Sequence, residues 1–169
     1  MSSSDHREPG TKPDLRSGLK AVYRRAATED RAVWSQLRFE LWPHHPLEEH
    51  ALEVGRLCVS FGLIALAEVD GEVVGFAEVS LRSDYVEGTT EVPVPYLEGW
   101  YLKAAFRGRG IGRGLLSYVE TWAASAGYTE LASDAELRNE LSIRLHGRLG
   151  FSEVSKTVHF VKKLNAPDA

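Results

Sequence analysis

The sequence predicts an α/β (α+β) fold, a mixed central sheet of six to seven strands flanked by four helices in the order βααβββαβαβ. Three observations carry this expectation. The β-branched and apolar runs Ile64 to Val69 and Val73 to Leu81 flank Asp70-Gly71, the dipeptide of a type I′ hairpin, so part of the sheet is an antiparallel meander. Tyr96 to Leu102 runs into a glycine-rich turn and then an amphipathic helix, the start of a right-handed crossover. Helix and strand patterns then alternate to the end of the chain. With 169 residues and 43% hydrophobic composition, one domain with a full core is expected.

Residues 1–18 are rich in Ser, Asp, Pro and Gly and read as a disordered tail, which leaves 19–169 as the folded domain. Leu19 to Arg24 reads as the first strand. Thr28 offers an N-cap to a helix with Glu29 and Asp30 in its first turn and Val33, Trp34, Leu37 and Leu41 on one face, closed by Pro43. Pro46 opens a second helix whose apolar side is Leu47, Ala51, Leu52, Val54 and Leu57. After the hairpin, Ser83 to Pro95 is polar, carries two prolines and reads as a loop. The third helix is marked by Ile111, Leu115, Leu116, Val119, Trp122 and Ala123 and ended by Gly127. Thr129 to Ser133 reads as a short strand, Asn139 to Leu149 as a helix ended by Gly150, and Glu153 to Leu164 as a long final strand.

Composition narrows the function. The formal charge is −4, with no long basic run, which argues against nucleic-acid binding. Cys58 is the only cysteine, and neither a secretory signal nor an 18-residue apolar run is present, so a soluble protein of a reducing cytoplasm is expected.

The chemistry concentrates at Arg107-Gly108-Arg109-Gly110-Ile111-Gly112-Arg113, between the strand and the third helix. Glycines at alternating positions let backbone N–H groups point inward, and the helix adds unpaired donors and the positive end of its dipole, a cradle for phosphate. The spacing fits neither Gly-x-x-x-x-Gly-Lys-Ser/Thr nor Gly-x-Gly-x-x-Gly. A turn that merely joins strand to helix is the other reading. Arg107-x-x-Gly110-x-Gly112 resembles the pyrophosphate loop of the GNAT N-acetyltransferases, which binds acetyl-CoA. The segment Leu37 to Leu164 further resembles the aminoglycoside 6′-N-acetyltransferase branch in four blocks. They are Leu41-Trp42, Asp84-Tyr85-Val86-Glu87-Gly88-Thr89 before Tyr96-Leu97-Glu98-Gly99, Glu130 to Ala135, and His146-Gly147-Arg148-Leu149-Gly150-Phe151.

That resemblance implies a GNAT fold, acetyl-CoA as co-substrate and an aminoglycoside antibiotic as acceptor. It implies no metal, and a homodimer paired through C-terminal strands, which the alternation of Thr157 to Lys163 allows. By the same resemblance Trp42, His45, Tyr85, Glu98 and Asp134 line the acceptor pocket. Trp100, Tyr101, Leu102, Gly108, Arg109, Gly110, Ile111, Gly112, Arg113 and Asn139 contact acetyl-CoA, with Arg107 opening the motif. Leu137-Arg138-Asn139, where relatives carry Leu-Asp-Asn, makes the acceptor site less acidic, as does Ser155 near a position that is acidic in several relatives.

Acetyl transfer to an amine needs a neutral nucleophile, a polarised carbonyl and a proton for the departing thiolate. Glu98, mid-strand with Leu97 and Gly99 expected on the other face, is the candidate to bind the ammonium and take its proton; a charge facing solvent is the alternative. Asp134, at the carboxyl edge of the sheet, reads as a second anchor for a polycation or as a cap. Trp42 and Tyr85 stack on sugar rings or pack in the core. Asn139, Ser142 and His146 share one helix face. His146 stands where many GNAT enzymes have a tyrosine acid, and reads as that acid or as a structural histidine. Glu48, Glu49, Glu53, Glu87 and Glu91 read as solvated faces. The lone Cys58, within an apolar helix, leaves direct attack of the amine as the expected course. A polyamine or other small-amine acetyltransferase, and a non-catalytic acetyl-CoA-binding regulator, are the alternatives.

Overall fold

The Asp70-Gly71 turn has the positive backbone angles that a type I′ hairpin requires, φ +51° at Asp70 and +82° at Gly71. It joins β2 (Leu63–Val69) to β3 (Glu72–Arg82), and β4 (Val94–Leu102) extends the meander. The computed structural model describes residues 20–60 and 62–163; the tail expected over 1–18, Leu19 and Leu164 lie outside them. β1 (Ala21–Arg25) pairs antiparallel with β2, and the two-residue β5 (Ala132–Ser133) lies parallel to β4, giving a five-stranded sheet in the order β1-β2-β3-β4-β5.

Strand alternation decides what packs where. Leu63, Ala65, Ala67 and Val69 of β2 face α3 (Ile111–Ser125), meeting Ile111, Leu115, Leu116 and Val119. Ile64 and Leu66 face the opposite side, where α1 (Arg31–Leu41) and α2 (Leu47–Ser60) supply Trp34, Leu37 and Val54. With helices on both faces, β2 is buried along nearly its whole length, which is why it reads as a continuous apolar run. A short α4 (Glu140–Arg148) follows β5. Among the described residues, no helix is long and apolar enough to cross a membrane.

Four expectations are corrected. Thr28 is not the cap of the first helix. Thr28–Asp30 is one 3₁₀ turn, and the Asp30 carboxylate takes the Ala27 N–H at 2.7 Å and the Arg24 guanidinium at 2.7 and 2.9 Å. These charge-assisted bonds outweigh what a hydroxyl offers, and the Arg24 fork holds Asp30 below the usual carboxylate range. On α2, Val54 is buried but Leu52 is exposed, so the expected apolar side is narrower. The strand over Thr129 to Ser133 shrinks to Ala132–Ser133, because β4 pairs with it only at Tyr96 and Leu97. The final strand is absent over the described residues 153–163. That segment is unpaired, and Phe160 is 92% exposed. Its β-branched pattern expresses a preference for a half-buried surface, and among the described residues no strand pairs with it. Among the described residues the sheet therefore has five strands rather than six or seven.

Candidate active site

One irregularity in β4 organises the site. In the pairing of β3 with β4, Glu78 lies opposite Gly99 and Val79 opposite Leu97, which leaves Glu98 with no residue across from it. A bulge of this kind inserts one residue and reverses the facing of everything beyond it. Leu97 packs on the α3 side, and so do Trp100 and Leu102 after the bulge, while Tyr101 joins the α1/α2 side. Gly99, expected to face away from Glu98, lies instead toward Trp42: a Cβ there would stand 2.6 Å from Trp42 Cη2. Close approach of the indole therefore requires glycine.

Glu98 and Trp42 come together in a cleft of about 360 Å³, lined also by Arg38, Glu53, Arg56, Leu57 and Glu78. The Glu98 carboxylate is half-buried and tightly held. Oε1 accepts from Ser80 Oγ at 2.6 Å and from Arg82 Nε at 3.0 Å, and Oε2 accepts from Arg82 Nη2 at 2.7 Å. Arg82 lies on the Tyr96 ring, 3.3 Å from its centroid. Beneath the cleft, Glu78 is 1% exposed; it accepts from Trp34 Nε1 at 2.6 Å and from Arg38 Nη1. Burial pushes the Glu78 carboxyl up, opposed by the Arg38 charge. Arg38 also reaches Glu53 at 2.5 Å and lies 4.9 Å from the centroid of the Trp42 ring.

The other expected acceptor residues are placed less centrally. Asp134 is exposed but near Tyr96, whose hydroxyl is pushed up to about 12, first by burial and then by the Asp134 charge. His45 pairs with Glu49 at 3.3 Å outside the cleft lining, and Tyr85 is 79% exposed. Sequence reasoning missed Arg38, Glu78 and Arg82, and set aside Glu53 as a solvated face. A sequence signal did exist for Glu78: a carboxylate within the apolar run Val73 to Leu81, where an unpaired charge is too costly to keep.

On the far side of β4 the strand is open. Beyond Leu97 its backbone pairs with β3 but not with β5, so the β4–β5 gap exposes a row of N–H and C=O groups suited to an extended, amide-bearing chain. The glycine loop stands at the end of that gap. Gly108 and Gly110 have φ of +74° and +80°, with nothing within 4 Å of where a Cβ would be. No side chain among the described residues caps α3, so the N–H groups of its first turn are free to receive an acceptor. Arg107 braces the loop, donating from Nε to Leu102 O at 2.8 Å and lying 5.4 Å from the centroid of the Tyr101 ring. Trp100 supports Gly112, and its own indole N–H is buried with no partner among the described residues. These features fit a diphosphate with an extended amide-bearing arm.

Asn139 caps α4, its side chain accepting from the Ser142 N–H at 3.1 Å. His146 is engaged at both nitrogens. Nδ1 is 2.8 Å from Ser142 O, an atom that only accepts, so Nδ1 carries a hydrogen; Nε2 is 3.0 Å from Ser133 Oγ.

The acetyltransferase (GNAT) family pattern matches residues 19–151. The chain belongs to the GNAT family. Among its relatives, the aminoglycoside N(6′)-acetyltransferase type 1 of Stenotrophomonas maltophilia is 45% identical over 140 residues, 81% of this chain and 90% of that protein. Two solved structures of AAC(6′)-Iy superpose on this GNAT chain at 32% identity. The complex with CoA has a TM-score of 0.81 over 87% of this chain and 97% of that one. The complex with the bisubstrate analogue CoA-S-monomethyl-acetylneamine has a TM-score of 0.79 over 86% and 99%.

In this GNAT chain, replacing Gly110 with valine is expected to weaken acetyl-CoA binding while the fold survives, because a β-branched residue resists positive φ. Calorimetry on the folded variant checks this; unchanged affinity would remove the loop from the site.

Proposed function

We propose that this protein transfers the acetyl group of acetyl-CoA to the 6′ amine of kanamycin- or tobramycin-like aminoglycosides, by direct attack of the amine, and so confers resistance. One observation carries the reading. The bulge aims Glu98 into a cleft beside Trp42 on one side of β4, while the open β4 edge and the glycine loop serve the opposite side. The relatives named above are aminoglycoside acetyltransferases, and one of them is solved with a CoA–aminoglycoside conjugate.

Acetyl-CoA supplies an activated acyl carbon. The protein's part is to hold it and to deliver a neutral amine. The first-turn N–H groups of α3 and the loop around Gly108 and Gly110 hold the diphosphate. The open N–H and C=O groups of β4 hold the arm and present the thioester carbonyl to the cleft. Glu98 receives the ammonium and takes its proton, directly or through water. Were the amine as basic as lysine, with a pKa of about 10.4, neutralising it near pH 7.4 would cost about 4 kcal/mol, and the greater acidity of sugar amines lowers that figure. With Nδ1 held by Ser142 O and Nε2 by Ser133 Oγ, His146 is assigned the pinning of α4 to β5; the sulfur leaves as thiolate when the C–S bond breaks, and the second proton, lost by the nitrogen as the amide forms, passes through solvent to it. A cytoplasmic location belongs to the same reading, and a single cysteine and the use of acetyl-CoA support it. A homodimer belongs to the same proposal: residues 153–163 expose Val154, Val158, Phe160 and Val161, which a second copy would cover, and sedimentation at several concentrations tests it.

A thiol-release assay over aminoglycosides with and without a free 6′ amine tests the reaction. Turnover restricted to free 6′ amines supports it. Turnover of spermidine but not of tobramycin would make the protein a polyamine acetyltransferase, and none with any amine would leave an acetyl-CoA-binding protein. Asp134→Asn is expected to raise KM for kanamycin about tenfold, a charge-assisted contact becoming a neutral one, with KM for acetyl-CoA unmoved. The reverse pattern would place Asp134 on the cofactor side.

A further inference from the structure

A carboxylate has few places at which to receive a donor, and most of those on Glu98 are filled by the protein itself. Its two oxygens offer about four lone-pair positions. Ser80 Oγ and Arg82 Nε occupy both positions on Oε1, and Arg82 Nη2 occupies one on Oε2. Among the described residues one position on Oε2 is left, on a residue that lines the cleft beside Trp42 and Glu53. The guanidinium is itself fixed. It lies 3.3 Å from the centroid of Tyr96, a ring only 6% exposed, so the plane of the fork, and with it the plane of the carboxylate, is set by a buried ring.

We propose that Arg82, together with Ser80, positions Glu98 for the acceptor: the two fill Oε1 and leave one acceptor position on Oε2, so that a primary ammonium is received in a single orientation. This rests on the reading of Glu98 as the group that receives the amine. The arrangement separates holding from aiming. Arg82 offsets the charge of Glu98, so it weakens the pull on a cationic substrate while fixing the direction from which the nitrogen faces the thioester. Orientation of this kind acts on turnover rather than on affinity.

The test is the kinetics of Arg82→Gln with kanamycin and acetyl-CoA. The expected result is a fall in kcat of about tenfold with KM for kanamycin unchanged or lower and KM for acetyl-CoA unchanged, since an uncovered carboxylate still attracts the cation but no longer aims it. Arg82→Lys keeps the charge without the fork, and its kcat is expected to stay low. Placed on Glu98→Gln, Arg82→Gln is expected to add less than about twofold, because both act through one group. A raised KM at unchanged kcat, full rescue by lysine, or losses that multiply in the double variant would each overturn the proposal. Full activity of Glu98→Gln alone would instead overturn the reading of Glu98 on which it rests. Thermal unfolding checks that each variant is folded. If Arg82→Gln fails to fold, Ser80→Ala carries the same test: it opens a second position, on Oε1, and is expected to lower kcat less but with KM again unmoved, whereas an unchanged kcat would overturn the proposal.

Discussion

Arg38→Met is expected to destabilise the fold by about 3–5 kcal/mol, the range seen when one partner of a buried ion pair is removed. That is a large share of the roughly 5–15 kcal/mol that holds a domain of this kind together. The cause is the residue left behind. Glu78 is 1% exposed, and without Arg38 its remaining polar partner is the Trp34 indole N–H. The loss reaches the acceptor cleft as well, because Arg38 also holds Glu53 and supports the Trp42 ring.

The effect has a sign in pH. Burial already raises Glu78 above its unfolded value of about 4.3, and removing the Arg38 charge removes the main force opposing that shift. A carboxyl whose folded pKa is raised binds its proton more tightly when folded, so its contribution is fully present below the unfolded pKa and fades as pH rises through the folded one. The Arg38→Met variant is therefore expected to gain stability relative to wild type as pH falls from about 8 toward 5. Asp30 works in the opposite direction in both proteins: its folded pKa is depressed, and its contribution is lost only in more acidic solution. Adding Glu78→Gln, which keeps an acceptor for Trp34 without the charge, is expected to restore part of the loss and flatten the pH dependence. Denaturant unfolding at two pH values checks both; a single variant equally destabilised at each would mean that Glu78 carries no stranded charge.

What the sequence revealed and what it concealed follow from the range of the interactions. The Asp70-Gly71 hairpin, the glycine loop and α3 are set by backbone angles and local periodicity, and these are readable from residues a few positions apart. The bulge at Glu98 is not. It needs one extra residue in β4 relative to β3, and a strand read alone carries no mark of its partner's register. For that reason the residues mark Glu98 as a candidate but disclose neither the facing of Gly99 nor the approach of Trp42. Arg38, Glu78 and Arg82 were missed for a related reason: each takes its role from a partner on another element, and helix or strand spacing does not disclose such pairs. The final strand failed the other way. Its alternation is legible, but a strand also needs an edge to pair with, and among the described residues none pairs with 153–163.

Glu98→Gln is expected to lower kcat/KM by about 10²-fold, the lower end of what a general base contributes. The substitution keeps the size of the side chain and removes both its charge and its capacity to take a proton. Two donors meet at Oε1, so the amide oxygen settles there, and the NH₂ then faces Arg82 Nη2 on one side and the cleft on the other. The last acceptor position becomes a donor, and an ammonium arriving there meets repulsion in place of a hydrogen bond. The loss is expected to shrink at high pH, where more of the amine is neutral before it binds and less depends on the base. That recovery separates the two roles open to Glu98. A fall of constant size from about pH 6 to about pH 9, seen mostly in KM, would show that Glu98 holds the substrate without taking its proton. Undiminished activity at every pH would refute both roles and move the search for the base to the other carboxylates of the cleft, of which Glu53 is the more exposed.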